Sequence, residues 1–209
     1  MEENKILSRK ERERNFRRQE IINSAVKLFA EKGYEHTTLD EIAEASEFGK
    51  GTIYNYFENK EEIYLAIVED ILESHTQTIQ RISDESSDFK SFLSMLTKAA
   101  IENSINNYDA FLLMVRLRTQ TGSSDPSMKS GLIQKNIECN NKILSKRFED
   151  AIKNKEIRPL KLESLLNIYR SMVFPYLHFL LCCKNAGSIN PDEESEFILS
   201  VFFNGVKAK

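Results

Sequence analysis

Tryptophan is absent from the 209 residues, and cysteine, proline and glycine are scarce at three, four and seven copies. The cysteines (Cys139, Cys182, Cys183) fit no disulfide framework and no metal-ligand spacing, so no metal and no cofactor is expected. Few breakers and recurring 3.6-residue patterns predict an all-α fold. No apolar run approaches the roughly 20 residues needed to span a bilayer, so no membrane partner is expected. The opening MEENKILSRKERERNFRRQE lacks the apolar core of a secretory signal, which points to a cytoplasmic protein. His36, His75 and His178 lie far apart with no motif around them, and no nucleophile–base pair stands out. No catalytic residue is expected, and the chain does not read as an enzyme.

The formal net charge of −3 argues by itself against a nucleic-acid partner, but its distribution points the other way. Arg9, Lys10, Arg12, Arg14, Arg17 and Arg18 crowd the N-terminal segment, and a local patch is enough to draw phosphate. Two readings fit. One is a basic arm over residues 1–16 that meets phosphate or the minor groove. The other is a solvated helix extension held by pairs such as Glu13 with Arg17.

The stretch from Thr37 to Lys60, TTLDEIAEASEFGKGTIYNYFENK, organises the rest. Leu39, Ile42 and Ala43 recur at helical spacing up to about Ser46. Thr38 with Glu41 has the spacing of a capping box. Glu47-Phe48-Gly49 forms a turn, and a second helix is predicted from Lys50 to Phe57. Ile53 and Phe57 share its inner face. Lys50, Thr52, Tyr54, Asn55 and Tyr56 are left outside, a hydroxyl-rich and aromatic face suited to phosphates and base edges. Gly51 permits close approach of the backbone.

Together with the preceding AVKLFAEKGYEHTT, the run IAEAS-EFG-KGTIYNYFENKEEIY resembles the DNA-binding head of the TetR/AcrR family of bacterial transcriptional regulators, over roughly Gln19 to Tyr64. The resemblance implies a helix-turn-helix over about 38–57 whose second helix enters the major groove. It also implies that Thr38, Lys50, Thr52, Tyr54, Asn55, Tyr56 and Lys60 meet DNA. Thr38, Tyr56 and Lys60 suit phosphate; Thr52 and Asn55 suit base edges; Tyr54 suits either. The alternative for both tyrosines is a ring packed inward with its hydroxyl exposed. Family members usually carry Gly-Val-Ser where this chain has Glu47-Phe48-Gly49; Gly49 caps less strongly than serine, and Phe48 is a larger plug.

About nine helices are expected: a head over 17–64, then a body over 65–209. The first helix runs from about Arg17 to Lys32, ended by Gly33 as a left-handed cap. A fourth starts near Lys60 and runs to about Ile82, followed by the linker SDESSD. The body helices begin near Phe89, Asp109, Pro126, Lys161 and Pro191. Leu132, Ile133, Ile137, Ile143, Leu144, Phe148 and Ile152 are expected on the inner face of the seventh. The eighth is apolar around most of its circumference, which calls for a partner subunit. Pro175 within it should kink it or open a carbonyl. The family resemblance implies that the last two helices pair with their twins, through Ile168, Met172, Leu177, Leu180, Leu181, Phe197, Val201 and Phe202.

The resemblance further implies a small-molecule pocket in the body. Its candidates are Phe92, Leu96, Phe111, Met114, Val115, Ile137, Phe174 and His178, each of which also reads as ordinary core. They suggest a hydrophobic or aromatic effector. The expected function is a homodimeric, ligand-responsive regulator, a repressor by default, on a palindromic operator in double-stranded DNA. The alternative is a helical ligand-binding or redox-sensing protein without operator binding. Cys182-Cys183 would be the sensor in that case, or simply two small apolar residues on a buried helix.

Overall fold

The computed structural model describes residues 8–119, 130–183 and 186–204. The chain divides into two compact units, Met1–Val68 and Glu69–Lys209. Among the described residues the regular structure is helical: α1 (Arg9–Lys32), α2 (Leu39–Ala45), α3 (Lys50–Tyr54), α4 (Lys60–Glu85), α5 (Phe89–Asn106), α6 (Tyr108–Thr119), α7 (Gly131–Lys153), α8 (Leu162–Cys183) and α9 (Pro191–Asn204), with a 3-10 turn over Ala186–Ser188.

The first unit is built by α1 to α3 and the start of α4. Ile21, Ala25 and Phe29 of α1 are buried with Ile42 of α2, Ile53 and Phe57 around α3, and Ile63 and Ile67 of α4. A single small core thus holds the two short helices, neither of which could persist alone in water. Three aromatic rings reinforce it. Phe29, Tyr34 and Tyr64 sit with ring centroids 4.8–5.7 Å apart. Thr37 is buried, and its hydroxyl donates to the carbonyl of Gly33 at 2.9 Å.

Several boundaries differ from expectation. Residues 9–16 are helix rather than arm, because Ser8 and Glu11 form a full capping box that starts α1. Apolar periodicity begins only at Ile21, so the earlier turns carried no pattern to read. Arg17 pairs with Glu13 at 2.6 Å, as the helix-extension reading requires. Gly33 has φ 87 and ψ 159, a positive φ that favours glycine but not the left-handed helical conformation expected. α3 stops at Tyr54, with Asn55 and Tyr56 in the turn that follows. α4 continues to Glu85, which shortens the linker to residues 86–88.

In the second unit the core gathers Phe92, Leu93, Leu96, Phe148, Tyr169, Val173 and Leu177. The turn before α5 is clasped from α7. Arg147 donates to Ser86 Oγ at 2.9 Å and to the Asp88 carbonyl at 3.0 Å, and its guanidinium lies over the Phe92 ring. The expected start of the seventh helix at Pro126 lies outside the described residues; the described helix begins at Gly131, capped by Ser130. Leu132 is exposed rather than inward, since Ile133 takes the inner position. α8 passes through Pro175 as one continuous helix. No helix among the described residues is long and apolar enough to cross a membrane.

Candidate nucleic-acid interface and effector cavity

Thr38 caps α2. Its hydroxyl accepts from the Glu41 N–H at 3.2 Å and donates to Glu41 Oε2 at 2.9 Å, while its own N–H donates to the same carboxylate. Lys32 Nζ reaches Glu41 Oε1 at 2.7 Å. The bond from Lys32 and the bonds from Thr38 hold the Glu41 carboxyl down to about 2. Glu41 therefore takes both donors of Thr38, its N–H and its hydroxyl.

The turn between α2 and α3 is closed by the Glu47 N–H on the Glu44 carbonyl at 3.1 Å and by the Phe48 N–H on the Ala43 carbonyl at 3.0 Å. This pair of bonds is a Schellman motif, and it puts Glu47 at φ 59, where glycine is the residue without a steric penalty. Gly49 is the N-cap of α3 and supplies no side-chain bond. Phe48 is half-buried, a plug in the turn.

The face that α3 and the turn after it leave outside carries Lys50, Gly51, Tyr54 and Asn55 exposed, with Thr52 and Tyr56 half-buried. Tyr54 is 58% exposed, so its ring does not pack inward. Lys50 Nζ lies 2.6 Å from Asp40 Oδ2, a bridge from α3 to α2 at the surface. A methyl group built on Gly51 would meet nothing within 4 Å. Lys60 is half-buried. Its ammonium donates to the Tyr34 carbonyl at 2.7 Å and sits 4.4 Å from the Tyr34 ring, so it ties α4 to the connector after α1.

The second unit holds a cavity of about 270 Å³. Of the expected pocket residues, Leu96, Met114, Ile137 and Phe174 line it. Phe92 and Phe111 belong to the core, Val115 packs against that core, and His178 lies beside Cys182 at 3.8 Å. Sequence reasoning missed the polar lining: His75, Asn140, Asn141 and Arg170. A signal was present. Asn140 falls on the stripe Ile133, Ile137, Asn140, Leu144 of α7, and His75 lies between Leu72 and Ile79 of α4. A polar residue in phase with an apolar stripe marks a polar group turned inward.

Of the expected interface residues, Ile168 and Phe197 are 52% and 54% exposed, and Met172, Leu181, Val201 and Phe202 are half-buried. Leu177 and Leu180 are buried in the core of the protomer itself and cannot also face a twin. The eighth helix is apolar on two sides, and these leucines sit on the side that closes its own core. Phe179, 60% exposed, takes the outer position instead. All three cysteines are exposed, contrary to the reading of Cys182-Cys183 as buried apolar residues.

Residues 21–67 match the family model described as bacterial regulatory proteins, tetR family. The chain is 26% identical over 164 residues to the uncharacterized HTH-type transcriptional regulator YhgD of Bacillus subtilis, covering 77% of this chain and 84% of that one. It is 40% identical over 65 residues to the biofilm operon icaADBC HTH-type negative transcriptional regulator IcaR of Staphylococcus epidermidis, across 31% of this chain and 35% of the relative. Among solved structures, the transcriptional regulator FadR from Bacillus subtilis in complex with stearoyl-CoA superposes with a TM-score of 0.74 at 18% identity, over 90% of this chain and 99% of that one.

Proposed function

We propose that this chain, which belongs to the TetR family of bacterial transcriptional regulators, acts as a homodimeric repressor that a small, mainly hydrophobic effector releases from a palindromic operator. The observation that carries the reading is the α3 face. Tyr54, Asn55 and Lys50 are exposed around a glycine on which an added methyl would meet nothing, on a helix and following turn whose other side is locked into the core by Ile53 and Phe57. Such a face has hydrogen-bonding groups but no intramolecular use for most of them. Thr52 and Asn55 read base edges, Tyr56 contacts phosphate, and Tyr54 does either. Gly51 lets the backbone come close to the duplex.

The exposed Ile168, Phe179 and Phe197 of α8 and α9 support pairing with a second copy, joined by Met172, Leu181 and Val201 at the edge. Pairing would set two α3 helices about one turn of DNA apart, ~34–36 Å. The Staphylococcus relative is described as a negative regulator, which supports repression as the sign of control. The cavity of the second unit supports an effector, as does the stearoyl-CoA bound to the Bacillus subtilis FadR. Effector binding would shift the population toward a state with weaker DNA affinity.

Binding of purified variants to operator and to random duplex tests the head. Tyr56→Phe is expected to weaken both alike, and Asn55→Ala to change site preference, by roughly 1–3 kcal/mol at the base it reads. Equal losses on operator and random DNA for Asn55→Ala would remove its base-reading role.

A further inference from the structure

The cavity between α4, α5, α6, α7 and α8 is apolar over most of its wall, yet its polar groups are specific. Asn140 is 7% exposed, and its Oδ1 is shut off from water with no hydrogen-bond partner. Its Nδ2 lies 3.4 Å from His75 Nδ1. A buried amide oxygen left unpaired costs free energy, a cost that a polar hydrogen brought into the cavity Asn140 lines would relieve once the amide turns toward it. Arg170 lines the same cavity. One of its nitrogens donates to Asn141 Oδ1 at 2.6 Å, and no carboxylate among the described residues lies within ion-pair distance of it. Half-buried, it has its pKa lowered by that burial. A guanidinium presents five donors in a planar fork matched to a carboxylate.

We propose that the cavity binds a small hydroxylated carboxylic acid, its carboxylate on Arg170, its hydroxyl on the Asn140 amide and its apolar body against Leu96, Ile137 and Phe174. This rests on the reading of the second unit as the effector-binding part. A hydroxyl is the group of choice at Asn140 because it both donates and accepts, and so satisfies the amide whichever way its oxygen and nitrogen are turned. Size narrows the class. At roughly 30 Å³ per water-sized group, 270 Å³ takes on the order of ten such groups, close to the eleven non-hydrogen atoms of a hydroxyoctanoate. A medium-chain hydroxy acid fits that space; a chain of the length of stearate exceeds it.

The test uses the full-length protein and three probes of equal chain length: 3-hydroxyoctanoate, octanoate and 1-octanol, followed by calorimetric titration. The expected order is hydroxy acid, then acid, then alcohol, with about tenfold between successive probes, the worth of one charged or buried hydrogen bond. Asn140→Leu should abolish the advantage of the hydroxyl and keep that of the carboxylate. Arg170→Met should abolish the advantage of the carboxylate, while Arg170→Lys keeps part of it. Far-ultraviolet melting confirms that each variant is folded. Binding of 1-octanol as tight as that of the acids, or no binding of either acid to the folded wild-type protein, overturns the proposal. Operator binding without ligand is scored separately. Operator binding that persists while both acids fail removes this ligand class and leaves the regulator; loss of operator binding removes the regulator.

Discussion

Lys60 Nζ lies 2.7 Å from the Tyr34 carbonyl oxygen and 4.4 Å from the Tyr34 ring, so one ammonium group joins the first residue of α4 to the chain leaving α1. The resemblance implied that this lysine meets phosphate. The geometry gives it an internal partner first, and any phosphate it reaches must share the same group. Lys60→Ala removes both a charged hydrogen bond and a cation–π interaction, and should therefore lower the stability of the head by about 1–2 kcal/mol. Urea unfolding followed by tyrosine fluorescence checks this. An unchanged midpoint with reduced DNA affinity would mean that the lysine serves phosphate alone.

Among the described residues two helices are followed by a non-glycine residue with positive φ: Glu47 at 59 after α2, and Lys155 at 62 after α7. Both sit one position past the C-cap, where the next N–H reaches back to the carbonyls of Ala43 and Ala151. Glu47→Gly and Lys155→Gly should each stabilise the unit that contains it by about 1 kcal/mol, since glycine takes that conformation without the steric penalty. Differential scanning calorimetry of the two single variants checks it, and a lowered melting temperature in either would contradict it.

Gly51→Ala separates folding from binding. The added methyl meets no atom within 4 Å, and alanine favours helix over glycine by about 1 kcal/mol. The variant should melt no lower than the parent and yet bind operator more weakly, because the methyl occupies the space that DNA backbone or base would enter. A melting scan beside a binding isotherm tests both halves. Undiminished operator affinity would show that Gly51 has no part in close approach.

The Glu41 carboxyl is held from its usual 4.5 down to about 2 by Lys32 and by both bonds from Thr38. Its folded-state value lies below the unfolded one, so its contribution is complete above pH 4.5 and is lost as pH falls toward 2. The head of the Glu41→Gln variant should accordingly be less stable than the parent at neutral pH, and the gap should close in acid. A pH series of urea midpoints measures this. A gap that widens on acidification would contradict the assigned sign.

The head was legible because its signals are local. Thr38 with Glu41 announces a cap, and Ile53 with Phe57 announces an inner face at i,i+4 spacing; both stand as read. The eight residues from Arg9 to Phe16 were illegible as helix because their start depends on Ser8 and Glu11 alone, with no apolar stripe behind them. In the body, pattern told which residues were apolar but not which neighbour each one met. Leu177 and Leu180 share a helix with Ile168 and Phe179, and only packing shows that the first pair faces inward and the second outward. Arg170 and Asn140 carried no expectation, although their phase with Leu166 and Val173, and with Ile137 and Leu144, turns them to the side where the cavity lies.

The central claim is that the α3 face reads a palindrome as part of a dimer. Selection of fragmented genomic DNA on the purified protein, against a Thr52→Ala, Asn55→Ala double variant at the same salt, tests it most directly. The expected result is enrichment of one palindromic sequence, with half-sites about one helical turn apart, that the variant does not recover. Equal recovery of all fragments by both proteins, after any carried small molecule has been removed by unfolding and refolding, would contradict it.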